Sequence, residues 1–105
     1  MDVMERIKQT VEEHPVVLFM KGTPQFPMCG FSMRTAKALK DCGARFHHVN
    51  VLQDPEVRAG LPQYANFPTF PQLYIAGELI GGCDITEDLH ASGELKKLLD
   101  ESLSA

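Results

Sequence analysis

The sequence predicts an α/β domain in which a small mixed sheet lies between helices. Three observations carry this. Apolar residues recur at helical spacing near both ends of the chain, and short β-branched runs stand between them. A strand–helix–strand unit is followed by a compact hairpin. At 105 residues the chain is expected to form one domain with a core of its own, without disulfide staples.

In DVMERIKQTVEEH, Met4, Ile7 and Val11 share a helical face, and His14-Pro15 ends the helix. PVVLFM is a continuous apolar run suited to a buried strand. The loop KGTPQFPM carries the breakers Gly22, Pro24 and Pro27. CGFSMRTAKALKDCG then reads as a helix from about residue 30, stopped by Gly43. RFHHVNV follows as a second strand, and the helical crossover predicts that the two strands are parallel. DPEVRAGLPQYA is helical or 3₁₀, weakened by Gly60 and Pro62. After NFPTFP, QLYIAGELIGG forms two short strands around Ala76-Gly77. Asp84-x-x-Glu87 has the pattern of a capping box opening a helix. Leu95, Leu98, Leu99 and Leu103 form the apolar stripe of a last helix. The predicted order is α-β-α-β-α-β-β-α-α.

Composition narrows the function classes. The chain is 44% hydrophobic and 23% charged, with a net charge of −4, and its ten basic residues are scattered. That argues against nucleic acid and membrane surfaces as main partners. The longest apolar run, Val16–Met20, is far too short to span a bilayer. The first fourteen residues contain four acids and no apolar block, so no secretory or transit signal is expected. The expected compartment is the cytoplasm.

Three cysteines, Cys29, Cys42 and Cys83, make neither a disulfide framework nor a zinc pattern. Cys29 falls where the Pro- and Gly-rich loop gives way to a helix. There the free N–H groups and the positive end of the helix dipole favour thiolate over thiol. Lys21 adds a positive charge at the far end of the loop. Ser32 stands where a Cys-x-x-Cys redox motif has its second cysteine; it can donate its hydroxyl but cannot close a disulfide. Cys42 lies about 20 Å along the same helix, at ~1.5 Å per residue, beyond the roughly 7 Å between α-carbons that a disulfide allows. From position alone, a reactive Cys29 and a buried, inert one stand even.

Together these segments resemble a known family. KGTPQFPMCGFS followed by PTFPQLYIAGELIGGCD is similar to the monothiol glutaredoxins of the Cys-Gly-Phe-Ser type, in the family's order and spacing over essentially the whole chain. The resemblance implies a thioredoxin-like fold with a four-stranded mixed sheet. It implies a glutathione site in which Lys21 and Arg58 hold the glycine carboxylate. Phe70, before a cis Pro71, would pair its backbone with the tripeptide. The N–H groups of Cys83 and Asp84 would meet the γ-glutamyl carboxylate, and the Asp84 side chain its ammonium. Without the family, Lys21 and Arg58 would read as solvated charges and Asp84 as a plain N-cap. The Cys83 thiol is either structural, the preferred reading, or a resolving thiol for Cys29. Two departures stand out: Phe67 replaces a common Trp in Phe67-Pro68-Thr69-Phe70-Pro71, and Gln25-Phe26 replaces a Lys-Leu pair. The second removes a positive charge near the thiol, which implies a higher Cys29 pKa than in lysine-bearing members.

Two functions follow from that resemblance. The first is a carrier of a [2Fe-2S] cluster ligated by Cys29 and glutathione. It would form a homodimer bridged by the cluster, work with a BolA-like protein, and deliver to apo iron–sulfur acceptor proteins. The second is a glutathione-dependent thiol–disulfide oxidoreductase working through Cys29 alone. A structural interaction module leaves the glutathione constellation unexplained. His47 and His48, adjacent on a strand, point to opposite faces and cannot share a metal. His14 suits a helix C-terminus, His90 has no visible companion, and the five methionines read as packing residues.

Overall fold

The computed structural model describes residues 2–104. The elements are α1 (Val3–Glu13), β1 (Val16–Met20), α2 (Gly30–Asp41), β2 (His47–Asn50), α3 (Pro55–Ala65), β3 (Gln72–Ile75), β4 (Glu78–Gly81), α4 (Cys83–Ser92) and α5 (Glu94–Leu103), in the predicted order. The four strands form one sheet ordered β2-β1-β3-β4. β1 runs parallel to β2 and antiparallel to β3, and β3 runs antiparallel to β4. This is the mixed, helix-flanked sheet of a thioredoxin-like fold.

The apolar run of β1 is continuous because both faces of this central strand are covered. Val16, Leu18 and Met20 pack with Ala36 and Leu39 of α2 and with Leu95 and Leu99 of α5. Val17 and Phe19 point the other way, onto Ile7 and Val11 of α1 and Val57 and Leu61 of α3. Between β3 and β4, Ala76 and Gly77 both have positive φ, 53° and 81°. A two-residue turn of that hand matches the twist of the strands it joins. Among the described residues, no helix is long and apolar enough to cross a membrane.

One local expectation left open is resolved, and another is revised. α3 is a continuous α-helix in spite of Gly60 and Pro62. Its start is held by Asp54, which accepts the Val57 N–H at 3.3 Å and an Arg6 guanidinium N–H at 2.6 Å. Gly60 is where α1 and α3 touch: a Cβ there would stand 3.2 Å from the Val3 side chain. Close helix packing thus offsets poor intrinsic propensity. The revision concerns α4. Asp84 does not cap it, because the N-cap is Gly82, with no side-chain capping bond. The chain turns through Gly81, at φ +147°, and is already helical at Cys83. Asp84 therefore sits inside the first turn, and Glu87 faces Cys83 and Arg34 instead.

Candidate functional site

The loop between β1 and α2 is tied down before it reaches Cys29. The Met28 N–H donates to the Lys21 carbonyl at 2.9 Å, and the Gly22 N–H donates to Asn50 Oδ1 at 2.9 Å. Gly22 is required here: it has φ +91°, and a Cβ would lie 2.5 Å from the Phe26 carbonyl oxygen. Thus anchored, the loop delivers Cys29 as the N-cap of α2 in an extended conformation, φ −159°. No side chain caps that helix end, so its N–H groups face the thiol.

Cys29 is partly exposed and unpaired, so the buried alternative that position left open does not hold. Its thiol is held below its ordinary pKa, first by the Ser32 backbone N–H. Burial opposes this, while the Phe31 N–H, the Ser32 hydroxyl and the charge of Lys21 add to it. Ser32 is fully buried, and its Oγ accepts the Lys21 N–H at 3.1 Å. Its single proton is therefore left for the sulfur.

On the far side of the site the Phe70–Pro71 peptide bond is cis, as the family resemblance implies. The approach to it is clamped by Gln72, a buried residue that sequence reasoning passed over. Gln72 Nε2 donates to the carbonyls of Phe67 and Thr69, at 3.0 and 3.2 Å, and Oε1 accepts the Tyr74 hydroxyl at 2.9 Å. The available signal was a glutamine opening an otherwise apolar buried strand. Asn50 was passed over as well; besides Gly22, its Oδ1 accepts the Leu52 N–H at 3.0 Å. At the start of α4, the first intrahelical bond is Thr86 N–H to the Gly82 carbonyl. The N–H groups of Cys83, Asp84 and Ile85 precede it and have no helical partner.

All six candidate residues, Lys21, Cys29, Arg58, Phe70, Cys83 and Asp84, line one cleft of about 780 Å³. Among the described residues, Lys21, Arg58 and Asp84 enter no ion pair, whereas Arg34 is engaged by Glu87 at 3.5 Å. Their charges are therefore available to a ligand. The Cys83 side chain is buried, and its thiol donates to Glu87 Oε1 at 3.3 Å. Cys83, Asp84 and Glu87 are, among the described residues, the only group of three metal-ligating side chains. The Arg34 guanidinium beside Glu87 already supplies positive charge there. Of the cleft lining, Phe31 and Ile85 are exposed, and so are Phe26, Met28 and Met33 on the adjoining loop and helix.

His47 stacks on His14, with ring centroids 3.9 Å apart. His90, however, does have companions: its Nδ1 lies 3.5 Å from Cys42 Sγ, and its Nε2 lies 3.9 Å from Asp41 Oδ2. A contact between residues 48 apart could not be read from either segment alone.

The glutaredoxin family model matches residues 16–80. Glutaredoxin 4 of Escherichia coli is 50% identical over 99 residues, which cover 94% of this chain and 86% of that protein. Among solved structures, reduced poplar apo GrxS14 is 46% identical with a TM-score of 0.81, covering 96% of this chain and 93% of that one. The buckwheat glutaredoxin–glutathione complex is 30% identical with a TM-score of 0.84, covering 95% and 89%. With a serine at the fourth position of Cys29-Gly30-Phe31-Ser32, the chain belongs to the glutaredoxin family as one of its monothiol members.

Proposed function

We infer that this glutaredoxin binds glutathione and carries a [2Fe-2S] cluster as cargo, with Cys29 as its protein ligand. The observation that carries the reading is a single thiolate-biased cysteine in a cleft with unspent charges of both signs. Glutathione has two carboxylates, one ammonium and a thiol. Lys21 and Arg58 suit the glycine carboxylate. The free N–H groups at the start of α4 suit the γ-glutamyl carboxylate, and Asp84 suits its ammonium. Phe70, next to the cis bond, offers its backbone to the peptide in strand-like pairing. A structural relative in complex with glutathione supports the choice of ligand.

The donor set fits the cargo. A [2Fe-2S] cluster takes four thiolates. One chain offers Cys29, since Cys83 is buried against Glu87 and Cys42 is at the other end of α2. Two chains and two glutathiones complete the set, which makes the holo form a homodimer bridged by the cluster. The exposed apolar side chains of the cleft and of the adjoining loop and helix suit that contact and the alternative one, in which a BolA-like protein replaces one protomer. Glutathione is held non-covalently, so it can exchange, and the cluster can pass to apo iron–sulfur acceptor proteins. Free cysteines suit a reducing compartment such as the cytoplasm.

The test is anaerobic reconstitution with ferrous iron, sulfide and glutathione, followed by visible absorption, circular dichroism and size-exclusion mass. A coloured dimer that requires both glutathione and Cys29 is expected. Colourless monomer under all conditions would overturn the reading.

A second reading rests on the lowered Cys29 pKa. The Cys29 thiolate attacks the glutathione sulfur of a mixed disulfide, the other thiol leaves and takes a proton, and a second glutathione releases the enzyme as glutathione disulfide. Failure to assemble a cluster, together with brisk turnover of a glutathionylated substrate, would rank this reading first.

A further inference from the structure

Away from the cleft, the structure brings together a second group of chemically competent side chains. Cys42 is the C-cap of α2, and its Sγ lies 3.5 Å from Nδ1 of His90 in the last turn of α4. The other ring nitrogen of His90 faces the Asp41 carboxylate at 3.9 Å. The order thiol, imidazole, carboxylate is the arrangement by which proteins activate a nucleophile: a base beside it, and a third group orienting the base. When the ring proton sits on Nε2, toward Asp41, Nδ1 presents its lone pair to the sulfur.

The surroundings make that activation necessary. Burial pushes the Cys42 thiol up, Lys96 of α5 opposes this, and the Asp41 and Asp100 carboxylates add to it. Asp41 itself is shared with Lys37 at 3.0 Å, and Lys96 with Asp100 at 3.1 Å. The local charges therefore largely cancel, and an unassisted Cys42 stays protonated. Cys42 is only partly buried, and the side chains of His90 and Asp41 beside it are 39% and 44% exposed, so the group lies at the surface.

We propose that Cys42 is a modification site: a second thiol, activated by His90, that accepts a group from a small-molecule disulfide such as glutathione disulfide. In the step, the Cys42 proton moves to His90 Nδ1 and the sulfur attacks one sulfur of the disulfide. The new Cys42 disulfide forms as the old S–S bond breaks, and the departing thiolate takes the proton back from His90. One thiol and one disulfide enter, and one thiol and one disulfide leave, with no net oxidation. The site stands at the opposite end of α2 from Cys29 and does not depend on what Cys29 carries. It marks the protein according to the disulfide load around it.

The test uses the full chain with Cys29→Ser, so that the cleft thiol does not report. The protein is incubated with glutathione disulfide at neutral pH, and adducts are located by intact-mass and peptide mass spectrometry. An adduct on Cys42 is expected, forming about a hundredfold more slowly when His90→Ala is added, the lower end of general-base assistance. Asp41→Asn, which keeps the side chain's size, should slow it less. The rate should rise with pH in both His90 forms but begin to rise at lower pH with His90 present. An absent adduct, an adduct only on Cys83, or equal rates with and without His90 would overturn the proposal. Far-UV circular dichroism of the variants separates lost activation from lost folding.

Discussion

The two ends of α2 carry the same residue in opposite chemical states. At the start, Cys29 is the N-cap and its thiol is drawn down, chiefly by the Ser32 N–H. At the finish, Cys42 is the C-cap and its thiol is pushed up, chiefly by burial. The helix end that offers free N–H donors stabilises a thiolate, and the end that offers carbonyls does not. Desolvation works on both sulfurs in the same direction, so hydrogen bonding at the N-terminus decides the difference. Identity as a cysteine therefore says little about reactivity; position on the helix says most of it.

The largest expected effect comes from loosening one end only. Leu39 is fully buried in the core that also packs Cys42. Leu39→Ala should cost about 2–5 kcal/mol in chemical denaturation. It should also ease the burial of Cys42 while leaving Cys29 unchanged in alkylation assays; an equal change at both sulfurs would break the comparison. Next is Ser32→Ala, which removes the buried acceptor of the Lys21 N–H and a donor to Cys29. We expect a loss of about 1–3 kcal/mol and a Cys29 thiol that titrates at higher pH by ultraviolet absorption. An unchanged titration would show that the backbone N–H groups act alone.

A direct comparison follows. Iodoacetamide at pH 7 should label Cys29 faster than Cys42 by roughly tenfold or more, since thiolate fraction controls the rate. Comparable rates would remove the distinction between the two helix ends.

The smallest effect is on stability against pH, and its sign differs between the ends. Cys29 has a lower pKa folded than unfolded, so its ionisation favours folding above the ordinary thiol range. That contribution is lost as pH falls through the folded value. Cys42 has a raised pKa, so the folded state gains below the ordinary thiol range and loses as pH rises through the folded value. Between pH 7 and 10, Cys29→Ser should therefore steepen the alkaline loss of stability and Cys42→Ser should flatten it, read as denaturation midpoints. Parallel profiles would contradict the assigned directions.

The elements, their order and most of the cleft are legible in the amino-acid sequence. The period of the apolar residues separates helix from strand, and a buried central strand must be apolar on both faces, as Val16–Met20 is. The Pro- and Gly-rich loop before a helix, with cysteine at the junction, marks a helix N-terminus whose N–H groups act on the nearest sulfur. These are local properties, and local spacing encodes them. The rest depends on packing between segments. α3 is continuous because α1 closes on Gly60, and Asp84 lies inside α4 because Gly81 and Gly82 set where the helix begins. Gln72 ties down the Phe67–Thr69 segment, and His90 meets Cys42, through side-chain contacts that only packing creates. Such contacts depend on how α2, α4 and the sheet are brought together, and no spacing within a single segment records that.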